Sequence, residues 1–392
     1  MARIQLENVK KSFGKVQALD GVTLEVKDKE FYVLFGPAGA GKTTILNCIA
    51  GIVMPEEGMV KFDDEVMNLV DPAHRNVAMV FENYALYPQM TVYDNMASAL
   101  RSKLYKTDED KIKEKVLWAA KIMKMENLLE RLPSQLSNGQ KQRVAMGRAL
   151  VRTPNVFLMD EPLAHLDAKL RNSMRTELKE MQANLGSTCI YVTHDFMEAM
   201  ALGDRIAIIN EGKIVQIGTS DEIYYMPCNE FTAQLMGDPQ INIINAEILG
   251  DKDGYSVSFP VKRETVTLPL PKDDRVYDVI RVDGLKQVDF GIRPQNVKYS
   301  FEPKEGYFKT TVYSYESIGN KSVISAECGD FLHYQLRMIA PNGLNVEIDS
   351  DIYLRFEMDH VILFDPETKE YIVRYDEAGI QALSDQTAAA NA

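Results

Sequence analysis

The chain has 392 residues, more than a single domain of about 100–200 residues holds, and its composition of 45% hydrophobic and 26% charged residues excludes wholesale disorder. A net charge of −13 disfavours a broad grip on a nucleic-acid backbone, which draws on clustered Lys and Arg, so any anion site must be local. No apolar run is long enough to span a bilayer, the opening MARIQLENVKKSFG has no signal core, and Cys48, Cys189, Cys228 and Cys328 lack the paired spacing of a zinc site or disulfide framework, so a cytosolic chain with free thiols is expected.

The first 225 or so residues alternate short apolar runs with longer helical patterns, which predicts an α/β layer with a largely parallel sheet. FYVLFG (31–36), NVAMVF (76–81), NVFLMD (155–160), TCIYVT (188–193) and RIAIIN (205–210) read as buried strands. Helical patterns fall at 108–131, 139–151 and 168–185, the first of them rich in charge. Around 226–240 two prolines and a glycine interrupt the pattern, and short Val, Ile and Tyr-rich runs separated by turns follow to about Tyr375. The expected division is therefore an α/β domain over 1–235, with a helical part about 84–152, and a β-rich domain over 236–377 made of small antiparallel barrels. A frayed tail, 378–392, completes it.

The strand FYVLF runs into Gly36, Pro37, Ala38, Gly39, Ala40, Gly41, Lys42, Thr43 and Thr44, then a helical ILNCIAG, which is the P-loop pattern in its strand, loop and helix context. Glycines let backbone N–H groups close around phosphate oxygens. Lys42 is positioned by this pattern to reach the β- and γ-phosphates of ATP, and the Thr43 hydroxyl to ligate Mg²⁺. A second apolar strand ends in Asp160 and Glu161. By itself that ending also fits a strand emerging into solvent, but beside a P-loop it supplies a Mg²⁺ carboxylate, Asp160, and a base for the attacking water, Glu161.

Between these halves stands Leu136, then Ser137, Asn138, Gly139 and Gln140, followed by KQRVAMGRAL, and this resembles the signature motif of ABC ATPases. AHLD (164–167), with Asp167, is similar to that family's D-loop, and VTHD with His194 to its switch histidine. The resemblance spans the first domain and implies the P-loop NTPase fold, with ATP held between the P-loop of one chain and the signature of a second ATPase chain, identical or different. It implies that His194 bonds the γ-phosphate and that Phe13, otherwise an ordinary surface aromatic, stacks on adenine. VFENYALYPQMTVYDN (80–95) resembles the Q-loop region, which implies a Mg²⁺ contact at Glu82 and a groove for a permease helix. GIRPQN (291–296) and HVILFD (360–365) resemble motifs in the OB-like, or TOBE, regulatory domain of maltose-type carbohydrate importer ATPases.

Four positions depart from the family pattern: Glu82 for Gln, Asn138 for Gly, Ala164 for Ser and Gln295 for Glu. The function expected from the resemblance is the ATP-hydrolysing subunit of an importer for a carbohydrate, polyol or related solute. Such a subunit sits at the cytoplasmic membrane face under transmembrane permease subunits, with an extracytoplasmic solute-binding protein as an indirect partner and no nucleic acid. The alternative is a soluble ABC ATPase acting on nucleic acid or ribosomes, against which the acidic balance counts.

Overall fold

In the computed structural model, residues 2–102, 107–152, 154–164, 166–251, 254–262, 264–319, 321–328 and 334–372 are described. The expected tail at 378–392 and His165 of AHLD lie outside them. Contacts group the chain into two units, 1–220 and 221 onward.

In the first unit, β1 (Ile4–Phe13), β2 (Val16–Val26), β4 (Glu57–Phe62) and the short β5 (Glu65–Val66) form an antiparallel sheet in the order β2-β1-β4-β5. The second sheet contains β3 (Phe31–Phe35), β6 (Val77–Val80), β7 (Val156–Asp160), β8 (Thr188–Thr193), β9 (Arg205–Asn210) and β10 (Lys213–Gly218), in the order β10-β9-β3-β8-β7-β6. β3, β6, β7, β8 and β9 run parallel, and only β10 is antiparallel. Every residue of β3, β7 and β8 is buried, which is why these strands read as unbroken apolar runs. Each large side chain so buried stabilises the fold by roughly 1.5–3 kcal/mol. A slipped register would forfeit several of them.

The helices of this unit are α1 (Lys42–Ala50), α2 (Val92–Ala97), α3 (Glu109–Ile122), α4 (Asn138–Leu150), α5 (Ala168–Leu185) and α6 (Phe196–Leu202). α3 stops earlier than the expected 108–131. Lys124 takes a left-handed φ of 54°, and the Met125 N–H turns back to the Ala120 carbonyl so that Met125 is buried. The charge-rich pattern continued past a point where the backbone had already reversed.

The second unit contains α7 (Ser220–Tyr225), whose first residue closes the preceding unit, and α8 (Glu230–Leu235). The contact division thus falls earlier than the expected 235/236. Its physical reason is Arg293, which is 3% exposed and donates to the carbonyls of Tyr224, Ala233 and Met236, with its guanidinium 3.6 Å from the Tyr224 ring centre. Burial pulls this guanidinium down to about 10. One side chain of GIRPQN therefore staples both helices to the β-rich unit, and Gln295 of the same motif accepts from the Tyr224 hydroxyl.

β11 (Asn242–Asp251), β12 (Gly254–Val261), β13 (Glu264–Pro269), β14 (Gln287–Ile292) and β20 (Ile362–Phe364) make one antiparallel sheet. The other is made of β15 (Val297–Ser300), β16 (Phe308–Ile318), β17 (Lys321–Cys328), β18 (Tyr334–Ala340) and β19 (Asp351–Phe356). Rather than separate small barrels, the two sheets share one core, in which Phe259 stacks on both Phe290 and Phe356. A helix absent from the sequence reading, α9 (Asp274–Asp283), is capped by Asp273 and stopped by left-handed Gly284. No helix among the described residues is long and apolar enough to cross a membrane.

Glu230, at the start of α8, shares a hydrogen bond with Asp289 of β14, and Lys369 approaches both. Burial first, then the bond and charge of Asp289, push the Glu230 carboxyl up to about 7, while Asp289 is held low. A folded-state value above the unfolded one means that stability is lost as pH rises through the window from 4.5 to about 7. Glu230→Gln, which keeps the bond without the charge, is expected to melt at a higher temperature than wild type above this window and at the same temperature below it, as read by paired thermal melts.

Candidate functional site

The parallel registers bring the sequence-selected residues to one edge of the sheet. Phe35 of β3 pairs with Thr193 of β8, Val192 of β8 with Asp160 of β7, and Met159 of β7 with Val80 of β6. Gly36, His194, Glu161 and the turn carrying Glu82 therefore leave the carboxyl ends of neighbouring strands together, the position where open α/β sheets bind ligands.

The loop 36–41 ends in α1, whose first residue is Lys42. A Cβ on Gly36 would lie 2.2 Å from the Ile209 carbonyl oxygen, so the loop's first glycine is demanded by close approach to β9. Lys42 is 5% exposed, and its ammonium donates to the carbonyls of Gly36 and Pro37 at 2.9 and 2.8 Å. Burial lowers its pKa, while Glu161 and Asp160 pull it back up, Glu161 Oε1 lying 3.9 Å away.

The Thr43 hydroxyl donates to Asp160 Oδ1 at 3.0 Å. Asp160 is 7% exposed, and burial raises its carboxyl despite that bond, with the charges of Glu161 and Glu82 adding to the rise. Glu82 itself is exposed in the turn after β6. A hydroxyl and a carboxylate in contact, with a second carboxylate in electrostatic reach, form a hard-oxygen donor set suited to Mg²⁺ alongside phosphate oxygens. Glu161 adopts a left-handed φ of 44°, a conformation costing about 1–3 kcal/mol for a residue with a side chain. Its N–H donates to the Val192 carbonyl at 3.1 Å, and its Oε2 lies 2.8 Å from His194 Nδ1. Base and switch candidates thus touch.

Ser137 caps α4: its hydroxyl accepts from the Gln140 N–H, and the Gln140 side chain accepts in return from the Ser137 N–H. Asn138 is exposed at the first helical position, and Gly139 is buried where a Cβ would meet Leu170 Cδ2 at 2.2 Å. Among the described residues, no side-chain hydrogen bond or ion pair joins 137–140 to the loop 36–41. Asp167 caps α5 by accepting from the Leu170 N–H, and Phe13 stands 51% exposed at the end of β1 under the Lys11 ammonium.

Sequence reasoning missed the residues that hold these parts. Arg148 of α4 donates to the carbonyls of Tyr84 and Ala85, both in left-handed conformation, and Asn95 ties Tyr87, Met90 and Thr91 to α2. The loop after Glu82 is thereby fixed on one wall of a groove of about 510 Å³ whose lining includes Ile52, Ala73, Phe81, Tyr87 and Ala99. Helical spacing alone assigns Arg148 and Asn95 no partner.

Residues 19–164 match the family described as ABC transporter. The chain is similar to the trehalose/maltose import ATP-binding protein MalK of Thermococcus litoralis, at 41% identity over 95% of this chain and 100% of that protein. It is similar to the sn-glycerol-3-phosphate import ATP-binding protein UgpC of Bartonella quintana, at 50% identity over 66% of this chain and 74% of that one. A bacterial ABC transporter cassette solved as a dimer superposes with a TM-score of 0.51 at 32% identity, covering 55% of this chain and 98% of the cassette.

Asp160→Asn removes a charge whose burial is unfavourable, so the variant is expected to melt above wild type at neutral pH. Because the folded pKa is raised, wild-type stability falls as pH rises through it, and the difference should vanish as pH drops to the ordinary value of 3.8. Paired melts across that range check the sign.

Proposed function

The chain belongs to the ABC transporter ATP-binding proteins, and from that premise we propose that it powers import of a carbohydrate, polyol or related small solute through transmembrane permease subunits. The supporting observation is that similarity to an import ATPase extends over 95% of the chain and so takes in the β-rich unit as well as the nucleotide site. The permease docks in the groove beside Tyr87, at the cytoplasmic face of the membrane, and an extracytoplasmic binding protein delivers the solute to it.

ATP lies along the strand edge with its phosphates over α1. Lys42 exchanges the loop carbonyls for phosphate oxygens, and the first-turn N–H groups of α1 complete the cradle. Phe13 stacks on the adenine. Thr43, Asp160 and Glu82 would hold Mg²⁺, which would supply positive charge to offset that of the phosphates. Glu161 accepts a proton from water as its oxygen attacks the γ-phosphorus; the bond to the β,γ-bridging oxygen breaks, leaving ADP and phosphate. His194 holds Glu161 on one side and the γ-phosphate on the other.

The γ-phosphate is completed by a second ATPase chain, which presents the tip of its α4, Ser137 to Gln140, with Asp167 nearby. A helix N-terminus carries free N–H groups and partial positive charge, so triphosphate favours the closed pair and hydrolysis loosens it. Among the departures, Glu82 adds negative charge beside a polyanion and slows this cycle, whereas exposed Asn138 leaves the Ser137 cap intact.

Two measurements test the reading. Glu161→Gln is expected to lose about 100-fold or more in kcat, the range of a general base, while still binding ATP. Turnover by the wild-type chain should rise when the permease pair co-purified from membranes is added back; activity indifferent to permease but stimulated by RNA would overturn the importer assignment.

A further inference from the structure

We propose that Arg171 is a positioning residue for ATP hydrolysis, a forked clamp that joins the two strand-end turns carrying Glu161 and His194. The proposal rests on the reading of that pair as the hydrolytic centre.

Arg171 lies one turn into α5, and its guanidinium divides between the turns. One terminal nitrogen donates to the Leu166 carbonyl at 3.2 Å, in the segment that follows Glu161. The other donates to Asp195 Oδ2 at 3.1 Å, directly after His194. Its Nε is buried 3.7 Å from Glu198 Oε1, within ion-pair reach but too far for a hydrogen bond.

The histidine side of the clamp is itself built tightly. Glu198 is 2% exposed and accepts from the hydroxyls of Tyr191 at 2.9 Å and Thr193 at 2.7 Å. The Thr193 hydroxyl also accepts from the Asp195 N–H at 2.9 Å, and Asp195 caps α6 through the Glu198 N–H. His194 is therefore gripped through both its neighbours. Burial raises the Glu198 carboxyl while the two hydroxyls and Arg171 counter the rise, so the guanidinium also compensates a desolvated acid. On the glutamate side, the Ala164 N–H closes a turn on the Glu161 carbonyl at 3.2 Å and the Leu166 N–H one on Leu163. That turn leads straight from the base to the carbonyl Arg171 holds.

A planar fork holds its two acceptors in fixed directions with the Glu198 charge alongside; a lysine ammonium carries the same charge as a compact point without that rigid geometry. The 2.8 Å approach of His194 Nδ1 to Glu161 Oε2 depends on the relative placement of the two turns that Arg171 joins. Arg171 neither touches phosphate nor transfers a proton. It fixes the relative placement of the groups that do, and small misplacements of such groups slow chemistry without loosening substrate.

The test uses the full chain carrying Arg171→Lys. Expected are a fall in kcat of about tenfold, a KM for ATP within about twofold of wild type, and no further loss when the substitution is added to His194→Ala. Asp195→Asn, which keeps the α6 cap but gives up the ionic partner, should reproduce the kcat-selective loss and keeps the test open should Arg171→Lys fold poorly. Wild-type kcat in both variants, a loss carried by KM, or an independent multiplicative loss in the His194→Ala background would each overturn the proposal. Near-normal turnover of Glu161→Gln would instead overturn the hydrolytic pair on which it rests.

Discussion

Desolvated charge at the carboxyl edge of the parallel sheet is the constraint to which the nucleotide site answers. Lys42 is buried with its ammonium on two backbone carbonyls, and Asp160 is buried against Thr43. Neither ion is favoured by its surroundings, and burial is the leading cause of both shifts. Such groups are stable only because the packed strands beneath leave them no other place, and they gain most from a ligand whose charges complement both. A triphosphate with its magnesium is such a ligand. Glu161 adds a strained backbone to the same edge, held by the Val192 carbonyl of the neighbouring strand.

The strands that set this edge were legible in the sequence because burial on both faces leaves a short, continuous apolar run. β3, β6, β7, β8 and β9 fall within a residue or two of their expected places. The P-loop was legible because its glycines answer to geometry, as Gly36 against Ile209 illustrates. What escaped were long polar side chains acting at a distance in sequence. Arg148, Arg171 and Arg293 each bond groups whose proximity arises only after the fold is assembled, and a periodic pattern records that such a residue faces inward without recording what it meets. α9 escaped for a different reason: its Asp273 cap and Gly284 stop were visible, but they lay among turn-rich segments read as loops between strands.

The departures from the family pattern separate by environment. Gln295 is satisfied by the Tyr224 hydroxyl inside the β-rich unit, and Asn138 points from an exposed helix start, so both are accommodated without disturbing a buried neighbour. Glu82 differs, because its charge is felt by Asp160. The β-rich unit has its own buried charges, Asp289 beside the half-buried Glu230 and Arg293 among three carbonyls, so both units place ionic groups where packing leaves little solvent.

The most direct measurement is calorimetric titration of Lys42→Ala with ATP and magnesium beside the wild-type chain. Loss of the buried cation should weaken binding by about 100-fold or more, since a charge-assisted contact of about 3 kcal/mol disappears while the acidic neighbours remain. Equal affinity in the two proteins would contradict the claim that phosphate charge is gathered at this strand edge.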